Sequence, residues 1–246
     1  MGLETSRLLA ARGHRVFGGD LRPEEGALPL DVRSDDSVRS FFDTVAKEAG
    51  RLDALLNIAG FALAGGVEET TLEEARDQIE TNFFGIARMV RAALPIMRAQ
   101  RSGRIVNVSS GAAIASGPFH AYYTASKWAV EGFTEALRHE VLPFGIRVSV
   151  LQPGSFRTNV VRNSKSISTP IPEYDGPRGR VLEAMRDYTQ KAPAPIAVAR
   201  AIERILGAKS PRLRYRVGKD VTMSFWARWM LPEGAYHRMV GNWYRL

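Results

Sequence analysis

Apolar residues along the chain follow two periods. Short Val/Ile/Leu-rich runs, RVFGG, DALLNIAG, GRIVNVSS, IRVSVLQPG and LRYRVG, are each too short for a helix, and the longer segments between them carry apolar residues three and four apart. This alternation predicts parallel strands joined by crossover helices. The runs are mostly continuous rather than alternating, as strands covered on both faces should be. The fold class that follows is α/β, a doubly wound parallel sheet. The segment SDDSVRSFFDTVAKEAG predicts a helix with Ser34 or Asp35 as N-cap and Gly50 as its stop. TLEEARDQIETNFFGIARMVRAALPIMRAQ predicts two helices or one bent one, and a further helix runs from about Tyr123 through TASKWAVEGFTEALRHEV. No repeat, low-complexity tract or linker divides residues 1–246, so a single domain is expected. Within it, residues 159–190 are rich in Ser, Pro and Gly and read as a long irregular insertion, a lid over a ligand site.

Open α/β sheets bind ligands at the carboxyl ends of their strands, so the residues after each apolar run carry the chemistry. Asp20 follows the first run, and an acid there accepts hydrogen bonds from both hydroxyls of an adenosine ribose while repelling a 2′-phosphate. NIAG, from Asn57 to Gly60, follows the second, its glycine allowing close backbone approach. Ser109 and Ser110 follow the third, and Pro153, Gly154 and Thr158 the fourth.

Composition narrows the classes. A length of 246 residues with 45% apolar side chains suffices for one sizeable core. The net charge of +8 invites an anionic partner, but the basic residues are scattered, which favours a phosphate-bearing cofactor over nucleic acid. The absence of cysteine removes disulfide, thiol and Cys-type metal chemistry, and His14, His120, His139 and His237 lie too far apart for a helical pair of metal ligands, so each reads as a surface or packed histidine and no metal is expected. No apolar stretch reaches the length of a membrane span or a signal-peptide core, and a cytoplasmic location is expected.

Tyr123 and Lys127 stand four residues apart, on one face of the predicted helix. A phenol titrates near pH 10, and a neighbouring ammonium favours its anion and moves it toward use as a general acid or base. Tyr and Lys at this spacing also occur by chance. Here, however, Ser110 lies 13 residues before Tyr123, and NIAG, Asn82, Ser110, Tyr123, Lys127 and Pro153-Gly154 follow in order. On these motifs the chain resembles the classical short-chain dehydrogenases/reductases over almost its whole length.

The resemblance implies a Rossmann-like domain that transfers hydride between a nicotinamide cofactor and an alcohol, ketone or aldehyde. It assigns Tyr123 as proton donor and acceptor, Ser110 as the group orienting the reacting oxygen with Ser109 as alternative, and Lys127 as holder of the nicotinamide ribose and the cause of a lowered Tyr123 pKa. Asn82 would hold a water behind the lysine or, equally, satisfy backbone groups at a helix bend. Gly2, Asp20, Asp31, Val32, Asn57, Ala59, Gly60, Pro153, Gly154 and Thr158 would line the cofactor, with Asp31 at the adenine and Thr158 at the carboxamide. Asp20 favours NAD, and Arg22 keeps NADP as the alternative. Phe61, Ile114, Phe119 and Phe156 with the 159–190 lid suggest an apolar substrate, although the same aromatics suit ordinary core. The C-terminal stretch, residues 220–246, gathers three of four tryptophans with Arg228, Arg238 and Arg245. Packing on its own domain or a contact within a homo-oligomer is preferred there to a membrane interface. A non-catalytic binding relative and an inactive fragment are the alternatives to an enzyme.

The opening MGLETSRLLAARGHRVFGGD reads as a helix running into a strand with no strand before it. Gly2 and Asp20, 18 residues apart, match the spacing from the last glycine of the family's Gly-x-x-x-Gly-x-Gly turn to the acid after its second strand. The expectation is that the first, central strand and the first two glycines are absent from these 246 residues, and that the natural start lies upstream.

Overall fold

A computed structural model describes residues 1–24, 26–157 and 164–246. Helix α1 (Gly2–Ala11) runs to β1 (Gly19–Asp20), which pairs in parallel with β2 (Leu28–Pro29). Next come α2 (Asp35–Ala49), β3 (Ala54–Asn57) and β4 (Leu63–Ala64). Helix α3 (Leu72–Ile79), a π-helical turn at Glu80–Phe84 and α4 (Gly85–Gln100) form one bent rod before β5 (Gly103–Val108). Then follow α5 (Ala121–Val141), β6 (Ile146–Pro153) and β7 (Lys165–Ser166). The remainder is α6 (Pro172–Lys191), α7 (Ile196–Gly207), β8 (Arg214–Val217), α8 (Lys219–Met230) and α9 (Glu233–Trp243).

The main sheet has strand order β3-β5-β6-β8 and every pairing is parallel, Leu55 facing Ile105, Ile105 facing Val148 and Val150 facing Arg214. β1–β2 and β4–β7 are separate two-stranded sheets, and β1 makes no strand pairing with β3 among the described residues. The main sheet is covered on both faces, which is why its strands read as continuous apolar runs. On one face Phe41 and Phe42 of α2, Met89 and Met97 of α4 and Leu137 of α5 pack against Ile105 and Val148. On the other, Val198, Ile202 and Ile205 of α7 pack against Val106 and Leu151, and α1 lies against α7 with Arg12 2.7 Å from Glu203.

Local chemistry sets the element ends. Ser34 Oγ accepts from Ser37 N at 3.2 Å, and Gly50 closes α2 at φ +66°. Thr71 and Glu74 form a reciprocal capping box at the start of α3. One departure from the expected pattern is α6: residues read as an irregular insertion form a 20-residue helix. Pro172 sits in its first turn, where a missing N–H costs nothing, and Val181, Ala184 and Tyr188 share its inner face. Gly176, Pro177 and Gly179 hid that periodicity. The two-residue strands β2, β4 and β7 are too short to leave any period.

Gly145, which follows α5, has φ +74°, and a Cβ there would lie 2.3 Å from Arg101 O, a backbone atom. Gly145→Ala is expected to lower the unfolding free energy by about 2 kcal/mol or more, from left-handed strain plus overlap. In denaturant titrations the midpoint should fall with an unchanged slope; an unaltered midpoint would count against the tight turn.

Candidate active site

The site forms where β3, β5 and β6 end beside the first turns of α5. Asn82 lies in the π-helical turn, fully buried, because the widened turn rotates it inward. Its Oδ1 accepts from Phe61 N at 3.0 Å, and its Nδ2 donates to Phe61 O at 2.9 Å and Ser126 Oγ at 3.0 Å. Ser126 in turn donates to Tyr123 O at 2.6 Å. The bend between α3 and α4, the loop after β3 and the first turn of α5 are thereby joined through one amide. Gly60 fits against it, since a Cβ there would lie 2.9 Å from Asn82 Oδ1 and 3.6 Å from Lys127 Nζ.

Lys127 is buried and donates from Nζ to Val108 O at 3.0 Å, at the end of β5, with Nζ 5.8 Å from the Tyr123 ring centre. Loss of water lowers its pKa to about 8. Tyr123 is half-buried, and desolvation raises its pKa, with a hydrogen bond to Ser110 acting against the rise. The lowered phenol pKa expected from the neighbouring ammonium is therefore not what the structure shows. Burial dominates, and the lysine turns its N–H to a backbone carbonyl instead.

The two serines separate clearly. Ser109 is buried, with its N–H on Leu151 O at 2.8 Å and its Oγ on Lys127 O at 3.3 Å, so it serves the framework. Ser110 caps the short helical turn Gly111–Ala113, accepting from Ala112 N at 3.1 Å, and its hydroxyl meets Tyr123. His120, packed edge-on to Tyr123 with centroids 6.5 Å apart, donates from Nδ1 to Pro118 O at 3.0 Å, and burial holds its pKa down. It is a packed histidine, as read from its isolation in the chain.

The residues assigned to the cofactor are dispersed around this centre. Asn57 is buried, and its side chain donates to Asn107 Oδ1 at 2.8 Å, while Asn107 donates to Thr134 Oγ1 at 3.0 Å. That chain of polar groups ties β3, β5 and α5 together, so Asn57 exposes no side chain to a ligand; Ala59 and Gly60 follow it on the surface of the cleft. Asp20 stands exposed at the end of β1, its Oδ1 accepting from Arg22 N at 2.9 Å. Asp31 accepts from the Arg33 backbone at 3.0 Å and from its guanidinium at 2.8 Å, which lowers its pKa. Val32 fills the space beside Gly85, where a Cβ would come within 2.6 Å of it. Pro153 and Gly154 end β6, and Gly154 N donates to Val217 O at 2.8 Å. Gly2 opens α1, with Met1 as N-cap making no side-chain bond. Thr158 lies outside the described residues.

Three groups escaped the sequence reading. Ser126 gave no signal beyond lying three residues after Tyr123. Asp220 accepts from Ser155 N at 2.7 Å and occupies the space left by Gly154 and Gly218; its place in the first turn of a helix after a glycine was the available clue. Glu69, buried, accepts from Gly66 N at 2.9 Å and Ile171 N at 3.0 Å and pairs with Arg178 of α6. Among the predicted pocket walls, Phe119 meets Tyr174 edge-on with centroids 6.1 Å apart, and Phe61 lies under Lys165 Nζ at 4.6 Å. Ile114 is buried, with its carbonyl accepting from Arg228. Phe156 belongs to the core on the α7 face, which removes it from the pocket.

A parallel α/β sheet with Ser110, Tyr123 and Lys127 gathered at its strand ends has the architecture of a dinucleotide-dependent oxidoreductase. A family model described as short chain dehydrogenase matches residues 1–168, and the chain belongs to the short-chain dehydrogenase family. Its relatives include 3-ketodihydrosphingosine reductase of Bacteroides thetaiotaomicron, 37% identical over 231 residues that cover 91% of this chain and 86% of that one. Retinol dehydrogenase 8 of Bos taurus is 33% identical over 232 residues, 88% of this chain and 73% of that one. Among solved structures, a short-chain dehydrogenase from Streptomyces avermitilis superimposes with a TM-score of 0.83 at 31% identity, covering 99% of this chain and 93% of that one. The chain is an oxidoreductase of the NAD(P)-dependent class.

Because folding lowers the Lys127 pKa from 10.5 to about 8, the unfolded chain holds more protons between those values, and stability rises with pH across that window. Lys127→Met should lack this contribution. The stability difference between wild type and variant, read by chemical denaturation on either side of pH 9, should shift in favour of the wild type as pH rises; a flat difference would show that the ammonium is not desolvated.

Proposed function

We propose that the protein interconverts an apolar alcohol and its ketone or aldehyde, with Tyr123 exchanging the proton and a nicotinamide dinucleotide the hydride. The observation that carries this reading is the gathering of Ser110, Tyr123 and Lys127, with the Ser110 hydroxyl on the Tyr123 phenol and Lys127 Nζ 5.8 Å from the Tyr123 ring centre. The donor set suits the cofactor. Lys127 Nζ gives one of three N–H groups to Val108 O, and the others suit ribose hydroxyls. Gly60 keeps the wall beside it low, and the exposed Asp20, whose Oδ1 accepts from Arg22 N, suits the adenosine ribose.

When bound, the nicotinamide supplies or takes the hydride. In reduction, Tyr123 donates its phenolic proton to the carbonyl oxygen; in oxidation it accepts the hydroxyl proton. The raised pKa keeps the phenol protonated near neutrality, which suits the first direction. Ser110 Oγ hydrogen-bonds the same oxygen and fixes its approach. Asn82, its amide spent on Phe61 and Ser126, is a positioning residue. Asp31, Val32, Pro153, Gly154 and the start of α1 at Gly2 border the dinucleotide, and Thr158 is proposed for the carboxamide on sequence position alone. The substrate side is walled by Phe61, Ile114 and Phe119, with α6 as its cover. A long-chain lipid carbonyl suits such walls, and the curated relatives named for ketodihydrosphingosine and retinol point to the same chemical class.

An activity panel of NAD(H) and NADP(H) with aliphatic, aromatic and steroid alcohols and ketones tests the reading. Tyr123→Phe should lower kcat by about 10²- to 10⁴-fold, with KM for the cofactor little changed. Full activity in that variant would overturn the mechanism. Asp20→Asn should shift the kcat/KM ratio toward NADP, since it removes the charge opposed to a 2′-phosphate; an unaltered ratio would mean that the acid does not meet the ribose.

A further inference from the structure

Helix α8 is apolar on both sides. Inward, Val221 is 2% exposed and the Phe225 ring lies 3.7 Å from the Arg216 guanidinium. Outward, Lys219, Met223, Trp226 and Met230 recur at intervals of four, three and four, which places them on one stripe, with Trp229 beside it. Met223 is 69% exposed, Trp226 55%, Trp229 75% and Met230 77%. A surface helix ordinarily turns such residues inward, and a contiguous exposed patch of this size marks an interaction surface.

Its border is cationic. Arg216 and Lys219 flank an open groove of about 520 Å³ that Thr222, Met223 and Trp226 also line. Neither has an ion-pair partner among the described residues, the Arg216 guanidinium lying over the Phe225 ring instead. Of the acids of the region, Asp220 turns to Ser155 N at 2.7 Å, which leaves the exposed Glu233, 3.8 Å from His237, as the one carboxylate against these cations. Tryptophan and methionine beside unpaired Lys and Arg suit the boundary between acyl chains and anionic headgroups. A two-fold contact between copies of this face would set its cations against one another, with the Glu233 carboxylate alone to compensate.

We propose that the α8 stripe docks the protein onto an anionic lipid bilayer. Charge complementarity selects that occupant over a second copy. The same helices hold the substrate loop, Arg228 donating to Ile114 O at 2.7 Å and Tyr236 to the same oxygen at 3.3 Å. Arg228 stands on the face of α8 opposite the stripe, so docking on the outward face leaves these contacts, and the loop they hold, in place.

The test uses the full chain with sedimenting vesicles of phosphatidylcholine alone and of phosphatidylcholine with phosphatidylglycerol in equal parts. Partition onto the anionic vesicles should be about tenfold stronger, weaken with salt, and shift tryptophan emission to the blue. The double variant Trp226→Gln, Trp229→Gln and the separate variant Lys219→Glu should each lose most of it. No sedimentation, or sedimentation indifferent to lipid charge or to both variants, overturns the proposal. So does a dimer in light scattering that the tryptophan variant abolishes, which would assign the face to a second copy. Because vesicle binding is read without turnover, its failure leaves the reaction mechanism standing, and loss of turnover in Tyr123→Phe says nothing of docking.

Discussion

The arrangement of the reactive groups depends on the Asn82 amide. One side chain satisfies both backbone groups of Phe61 and the hydroxyl of Ser126, so the loop after β3 and the first turn of α5 are held at fixed separation. Removing it would leave the Phe61 N–H without its partner, at a cost of about 1–3 kcal/mol, while Phe61 O would keep only Gln78 Nε2 at 3.1 Å. The π-helical turn exists at this place because an ordinary α-helical residue at the α3–α4 junction would point its side chain elsewhere. Ser126 and Lys127 lie one turn beyond Tyr123 on α5, and the anchor at Ser126 fixes that stretch of helix.

Electrostatics at the centre favour neutral groups. Burial raises the Tyr123 pKa and lowers that of Lys127, so each side chain is driven toward its uncharged form. Such a pair weakens the fold locally, and the two apolar layers about β5 and β6 offset the cost. The polar chain from Asn57 through Asn107 to Thr134 does comparable work at the sheet, fixing the register of β3 on β5 in a place where apolar side chains alone would tolerate slip.

The long elements were legible from the chain because their signals were local: Ser34 and Gly50 bounded α2, and near-continuous Val/Ile/Leu runs located β3, β5 and β6. Helix α6 was not, since Gly176, Pro177 and Gly179 interrupt a periodicity that only tertiary contact with the core confirms. Ser110, Tyr123 and Lys127 were legible by order and spacing, yet the sign of the Tyr123 shift was not. Spacing reveals that an ammonium is near; it does not reveal which acceptor the ammonium chooses or how much water is lost. Asn57 shows the same limit, for a residue in a ligand-side motif spends its side chain on the framework. Asp220 acts on a backbone N–H and Ser126 on the Asn82 side chain, both distant in sequence, and for such pairs no pattern exists to be read.

The pairing of Glu69 with Arg178 has an evolutionary corollary. The carboxylate is buried and also receives two backbone N–H groups, so loss of the arginine alone would leave a charge without compensation beneath the cover of the site. A single substitution at either end should therefore destabilise the join between α6 and the loop before α3, and the two positions are expected to change together.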